Sequence, residues 1–134
     1  MRIEEIEGIG PVFAEKLRGA GVDTTDELLV QGGTEHGRER LAEATGITKK
    51  QLLEWVNHVD LMRIDGVGSE YADLLEAAGV DSCAELARRN PANLAQTFLE
   101  IDAARPNWIR RVPSEKVIAD WIAQAGAFAK VVTH

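Results

Sequence analysis

The sequence predicts an all-α fold, and three features of the 134-residue chain support this expectation. Apolar residues recur at steps of three and four along several stretches, as they do on one face of a helix. No stretch alternates apolar and polar residues in the manner of a half-buried strand. Glycine, proline and small polar residues separate the stretches and suit helix ends, so we expect about 9–10 mostly short helices.

A segment near the start of the chain returns 58 residues later. Residues 6–17 (IEGIGPVFAEKL) correspond to residues 64–75 (IDGVGSEYADLL), and residues 20–28 (AGVDTTDEL) correspond to residues 78–86 (AGVDSCAEL). Such internal similarity indicates two copies of one supersecondary unit.

The ends of the two copies match at a larger spacing. Residues 52–56 (LLEWV) resemble residues 118–122 (IADWI), which lie 66 positions later, so the second copy has gained 8 residues. We place this insertion within residues 104–113. The repeat predicts two tandem units, residues 1–60 and 61–134, in a single compact domain with one shared core.

Each copy opens with two glycines that flank one apolar residue, and a helix follows them. The glycines of the first copy, Gly8 and Gly10, permit positive φ and close backbone approach in a tight turn. Pro11 suits the first position of a helix, and Ala14 and Leu17 lie three residues apart on one helix face. The corresponding residues of the second copy are Gly66, Gly68, Ser69, Ala72 and Leu75. Ser69 favours a helix cap.

The later helices are expected to begin at small hydroxyl residues and to end at glycines. Gly21 and Gly79 are expected to end the first helix of each copy in the left-handed region. A Ser or Thr three residues before Glu or Gln predicts a capping box. The expected caps are Thr24, Thr48, Ser82 and, for the last helix, Ser114.

Several further positions carry an expectation about loops or burial. The helix after Thr48 is expected to reach about Arg63, and Gln31-Gly-Gly33 and Arg105-Pro-Asn107 are expected to be loops. Trp55 and Trp121 are expected in the core. The remaining expectations are that Val117 faces inward and that His36 and His58 lie on the surface.

The charge balance works against a polyanionic partner, since the chain has 15 basic and 22 acidic side chains and a net charge of −7. The distribution is uneven. Residues 86–116 carry six basic and three acidic side chains, a local charge of +3. An anionic partner is therefore expected to prefer this region.

No catalytic or metal site is predicted. The chain lacks a nucleophile elbow, a P-loop and a zincin motif, and His36, His58 and His134 show no metal-ligand spacing. The single cysteine, Cys83, excludes an internal disulfide. We expect no enzyme activity, cofactor or metal. The short uncharged runs and the acidic first residues predict neither a membrane span nor a signal peptide, so a cytoplasmic location is expected.

The pattern Gly-h-Gly-x-x-x-Ala-x-x-Leu (h, apolar), followed by Ala-Gly-h-Asp-Thr/Ser-x-x-Glu-Leu, resembles the helix-hairpin-helix superfamily. Nearly the whole chain is similar to an uncharacterised bacterial family, a domain of unknown function with two such copies. The resemblance implies two tandem helix-hairpin-helix units that bind DNA without sequence preference, through hairpin amides that contact phosphates. The alternatives are a protein-interaction or scaffold module and hairpins that only join packed helices.

The site implied by the resemblance comprises the two hairpins and the cations expected near an anion. Glu70, in the first turn of the second copy, is expected to compete with a phosphate for the same amides. The stretch from Arg105 to Arg111 is either a solvated loop with a Trp anchor or a basic platform for phosphate or a single strand. The candidate nucleic-acid-binding residues are Gly8, Ile9, Gly10, Val12, Lys16, Arg18, Gly66, Val67, Gly68, Arg88, Arg89, Arg110 and Arg111.

Overall fold

The computed structural model describes every residue, Met1–His134, and its regular structure is helical. It contains eight α-helices and a short 3-10 helix, Ile3–Glu5, and no strand. The all-α prediction is therefore confirmed. None of the helices is long and apolar enough to cross a membrane. The α-helices are α1 (Pro11–Gly19), α2 (Thr25–Gly32), α3 (Glu35–Thr45), α4 (Lys49–Leu61), α5 (Ser69–Ala77), α6 (Cys83–Leu86), α7 (Pro91–Ala104) and α8 (Glu115–Ala127).

The chain divides into two compact units. The first unit comprises Met1–Asp60 together with Lys130–His134, and the second comprises Leu61–Ala129. The chain thus leaves the first unit once and returns to it for its last residues. Each unit contains its own cluster of buried apolar side chains. A core shared by both copies stays a prediction.

Matched positions of the sequence repeat form matched hydrogen bonds. The N–H of Ala14 donates to the Gly10 carbonyl over 2.9 Å, and the N–H of Ala72 donates to the Gly68 carbonyl over the same distance. All four side chains expected on the buried faces of α1 and α5 are buried. They are Ala14, Leu17, Ala72 and Leu75. The two copies therefore share local bonding, while their superposition stays a prediction.

Side chains cap the N-termini of six α-helices. In each case a hydroxyl or amide oxygen accepts a hydrogen bond from a backbone N–H three residues later, which satisfies one of the otherwise unbonded amides of the first turn. The predicted caps Thr24, Thr48, Ser82 and Ser114 are confirmed, and Gly21 and Gly79 both have φ of 88° as expected. The six caps are Thr24, Thr34, Thr48, Ser82, Asn90 and Ser114.

The last residues of the chain pack against α2 and α3 in the first unit. The N–H of Thr133 donates to the Gly33 carbonyl over 2.8 Å, and its hydroxyl oxygen accepts from the N–H of Glu35 over 3.2 Å. Val132 is buried in the apolar cluster of this unit. We call residues 130–134 the C-terminal strap.

Two expectations about the first unit were wrong. Gln31 and Gly32 continue α2 instead of forming a loop. A Cβ on residue 32 would lie 2.9 Å from the Cγ2 atom of Val56, so the glycine allows a close helix contact. His58 is buried on α4 and not on the surface, because almost the whole second half of that helix is buried.

Three expectations about helix ends and faces also differ from the structure. α4 ends at Leu61, two residues before Arg63. Ser69 is the first residue of α5, and the cap position is Gly68. Val117 was expected to face inward but is 42% exposed. The buried face of α8 is formed by Ile118, Trp121 and Ala125, which are spaced three and four residues apart.

Candidate nucleic-acid interface

Two glycine turns, residues 8–10 and 66–68, precede α1 and α5 and have the same backbone conformation. Their first residues, Gly8 and Gly66, have φ of 94° and 97°, in the left-handed region that favours glycine. Their last residues are the N-caps of the helices and have extended backbone. The backbone therefore enters α1 and α5 with the same local conformation.

The middle residue of each glycine turn is an anchor. Ile9 and Val67 are buried, and their N–H groups donate to the carbonyls of Ile6 and Ile64 over 3.1 and 3.0 Å. Both residues were predicted to belong to the interface. Their side chains are buried, and their N–H groups are hydrogen-bonded within the protein. The exposed parts of the turns are the flanking glycines.

The first turns of α1 and α5 are the only α-helix N-termini without a side-chain cap. The N–H groups of Gly10 and Val12 form no hydrogen bond within the protein, and the same holds for those of Gly68 and Glu70. Unbonded N–H groups at a helix N-terminus carry partial positive charge and favour an anion.

The two predicted cations of the first unit differ in their surroundings. Lys16 is exposed, with its ammonium 6.0 Å from the centre of the Phe13 ring. Arg18 donates to the carboxylates of Asp23, over 2.7 Å, and of Glu4. The hydrogen bond from Arg18 lowers the pKa of Asp23 below its usual value. Arg18 is therefore held by carboxylates, which leaves Lys16 as the free cation of this pair.

In the second unit, a loop that carries two arginines is bound to the first turn of α5. We call residues 105–113 the arginine loop. The backbone N–H of Arg110 donates to Oε1 of Glu70 over 2.9 Å, and the hydroxyl of Tyr71 donates to the Arg111 carbonyl over 2.8 Å. Both guanidinium groups are exposed and form no ion pair. The fold therefore places Arg110 and Arg111 next to the helix that follows the second glycine turn.

The arginine loop is also anchored by apolar side chains. Ile109 is buried and Trp108 is half-buried against the apolar cluster of the second unit. The guanidinium carbon of Arg105 lies 4.8 Å from the centre of the Trp108 ring and covers one of its faces. Trp108 is therefore a half-buried residue of the loop, and Arg105 covers one face of its ring.

The remaining predicted cations, Arg88 and Arg89, lie in the turn between α6 and α7. Arg89 donates to Oε1 of Glu85 over 3.0 Å and to the Gly79 carbonyl over 3.1 Å. Arg88 is exposed and forms no ion pair. Together with Asn93 the two arginines line a cleft of about 270 Å³. No hydrogen bond connects this cleft to the second glycine turn, so the structure does not join these residues to that turn.

The comparisons with known proteins identify a family whose description assigns no activity. No curated protein and no solved structure matches the sequence. Residues 7–128 match the family described as a domain of unknown function (DUF4332), and the match includes both glycine turns and the arginine loop. The chain therefore belongs to this domain-of-unknown-function family.

Proposed function

We propose that the protein is a non-enzymatic helix-hairpin-helix module that binds the phosphate backbone of nucleic acid without reading its sequence. The main support is the distribution of helix caps. Six α-helices have a side-chain cap, and the two that lack one both follow glycine turns. Their unbonded amides suit a phosphate oxygen. Contacts to phosphates position a nucleic acid but carry no sequence information.

Exposed cations next to these amides add to the proposed interface. Arg110 and Arg111 are bound through their backbone to α5, directly after the second glycine turn. Lys16 lies on α1, after the first turn. Because these side chains form no ion pair within the protein, each is available to a phosphate.

The net charge of −7 sets the expected strength of binding. An acidic surface repels a polyanion at long range, so only the local contacts favour the complex. We therefore expect weak binding that is indifferent to sequence and falls steeply with salt.

A gel-shift titration at about 50 mM salt tests the proposal, since electrostatic attraction is strongest at low ionic strength. We expect the wild type to shift duplex DNA and the double variant Arg110→Glu, Arg111→Glu to lose binding. The control is the double variant Lys49→Ala, Lys50→Ala, which removes two cations at the start of α4 in the other unit and should bind as the wild type does. No complex with single- or double-stranded DNA at tens of micromolar protein would overturn the proposal.

A protein-interaction module is the second candidate, and one observation favours it. Val12 and Phe13 are 66% and 37% exposed on α1, next to the first glycine turn. Exposed apolar side chains at one place are typical of protein contacts. If DNA binding fails, a pull-down that compares wild type with Val12→Asp tests this candidate, and loss of a captured protein in the variant is expected.

A further inference from the structure

The two copies of the repeat differ in character at the second and third residues of α1 and α5. The first copy has Val12 and Phe13 at these positions, and the second copy has Glu70 and Tyr71. One apolar side chain is thus replaced by a carboxylate, and one aromatic ring gains a hydroxyl. The same second copy contains the 8 extra residues.

These two residues bind the arginine loop, where the sequence comparison places the extra residues. The Glu70 carboxylate accepts from the N–H of Arg110, and the Tyr71 hydroxyl donates to the carbonyl of Arg111. Both bonds go to the backbone of the arginine loop, so they fix its position and leave the guanidinium groups exposed.

The ring of Tyr71 connects the loop to the packing under the second glycine turn. Its centre lies 5.3 Å from that of Trp121. The Nε1 atom of Trp121 is 3.2 Å from the position that a Cβ of residue 66 would occupy. In the first copy Phe13 packs on Trp55 in the corresponding way, at 5.4 Å, but it has no hydroxyl to offer. The second copy has therefore extended a common aromatic pair into a support for the loop.

We propose that Glu70 and Tyr71 are positioning residues, which hold Arg110 and Arg111 beside the second glycine turn so that amides and guanidinium groups meet one phosphate backbone. This inference rests on the proposed function. It assigns Glu70 the opposite role to that expected from its charge alone. A carboxylate in the first turn competes with an anion for the helix amides, whereas here one of its oxygens bonds the loop that supplies cations.

Two substitutions of Glu70 separate these roles. Glu70→Gln removes the negative charge but keeps an oxygen that accepts from the N–H of Arg110, whereas Glu70→Ala removes both. We expect Glu70→Gln to bind a short mixed-sequence DNA duplex at least as tightly as the wild type. Glu70→Ala should bind about 5-fold more weakly than Glu70→Gln, and Tyr71→Phe about 5-fold more weakly than the wild type. Each of these losses is the expected effect of one lost hydrogen bond. Fluorescence anisotropy at about 50 mM salt measures the affinities.

The matched control is Glu100 on α7, a carboxylate that accepts from Gln96 and forms no hydrogen bond with the arginine loop. Glu100→Gln and Glu100→Ala remove the same charge, so we expect them to bind equally. Amide hydrogen exchange of Arg110 in the free protein provides a second readout. Exchange should be slow in the wild type and in Glu70→Gln and faster in Glu70→Ala.

The outcomes distinguish this inference from the function on which it rests. If the wild type does not bind DNA, the proposed function fails and the positioning role fails with it. If the wild type binds and Glu70→Ala binds as tightly as Glu70→Gln, only the positioning role is overturned, whatever the exchange of the Arg110 amide. Weaker binding by Glu70→Ala, with faster exchange at Arg110, supports it.

Discussion

The indole of Trp121 lies directly behind Gly66, with its Nε1 atom 3.2 Å from the position that a Cβ of residue 66 would occupy. Trp55 lies behind Gly8 in the same way, at 3.5 Å. Each glycine turn is thus packed against a buried tryptophan from the last helix of its copy. The core thus fixes the position of the turn, and the neighbouring backbone amides lie on its exposed face.

This packing predicts that Gly66→Ala destabilises the protein. The substitution places a side chain at φ of 97° and against the Trp121 ring, and we expect a loss of about 1–3 kcal/mol in the free energy of unfolding. Gly68→Ala is the matched control, because residue 68 has φ of −93° and no atom within 4 Å of its Cβ position. Urea unfolding followed by circular dichroism measures both. Equal losses would contradict the packing argument.

The ion pairs of Arg18 predict a pH-dependent contribution to stability. The pKa of Asp23 is lowered by its hydrogen bond to Arg18, so the pair contributes while the carboxylate is ionised, above its usual pKa of 3.8. The contribution is lost as the pH falls through the lowered pKa of the folded state. We expect Arg18→Ala to lower the urea midpoint slightly at pH 7 and progressively less as the pH falls through the lowered pKa of Asp23.

The control for this prediction is Arg40→Ala, an exposed arginine of α3 that forms no ion pair. Its difference from the wild type should not change with pH. A difference for Arg18→Ala that persists unchanged in acid would show that Arg18 acts through packing alone. High salt at pH 7 should also reduce the effect, since both partners are partly exposed.

The features that could be predicted from the sequence are those in which cause and effect lie within a few residues. A cap such as Thr24 bonds the N–H three positions later, so the spacing of residue types suffices. The left-handed glycines Gly21 and Gly79 follow from the same local reasoning. Burial of Trp55 and Trp121 follows from helical periodicity, which states which face is apolar.

Periodicity could not supply the partners that lie far away along the chain. Glu70 was expected to compete with a phosphate for the helix amides. Its bond to Arg110, 40 residues later, could not be predicted, because it depends on the path of the loop. The two positions where the copies differ in polarity were the only visible signal for this contact. Arg38 is buried because three backbone carbonyls, including that of Thr133, accept from it, and burial lowers its pKa. Residue type alone predicts an exposed arginine.

The C-terminal strap predicts a large effect of a polar substitution at its buried residue. Val132 is 2% exposed in the apolar cluster of the first unit, and Val132→Asp would bury a carboxylate without a partner. We expect a loss of about 3 kcal/mol or more in the free energy of unfolding. Val30→Asp is the control, since Val30 is 80% exposed in the same unit. A loss for Val132→Asp no larger than that for Val30→Asp would show that the strap does not contribute to this core.

The salt dependence of DNA binding can identify the arginines that contact phosphates. Each cation that neutralises a phosphate contributes about 0.9 to the slope of log K against log salt concentration. Arg110→Gln and Arg111→Gln together should therefore lower the slope by up to about 1.8. Arg89→Gln should leave it unchanged, because that guanidinium is already bonded to Glu85 and to the Gly79 carbonyl. Titrations of one duplex at several salt concentrations measure the slopes. A slope that falls for Arg89→Gln and not for the Arg110 and Arg111 variant would move the interface from the arginine loop to the cleft at the start of α7.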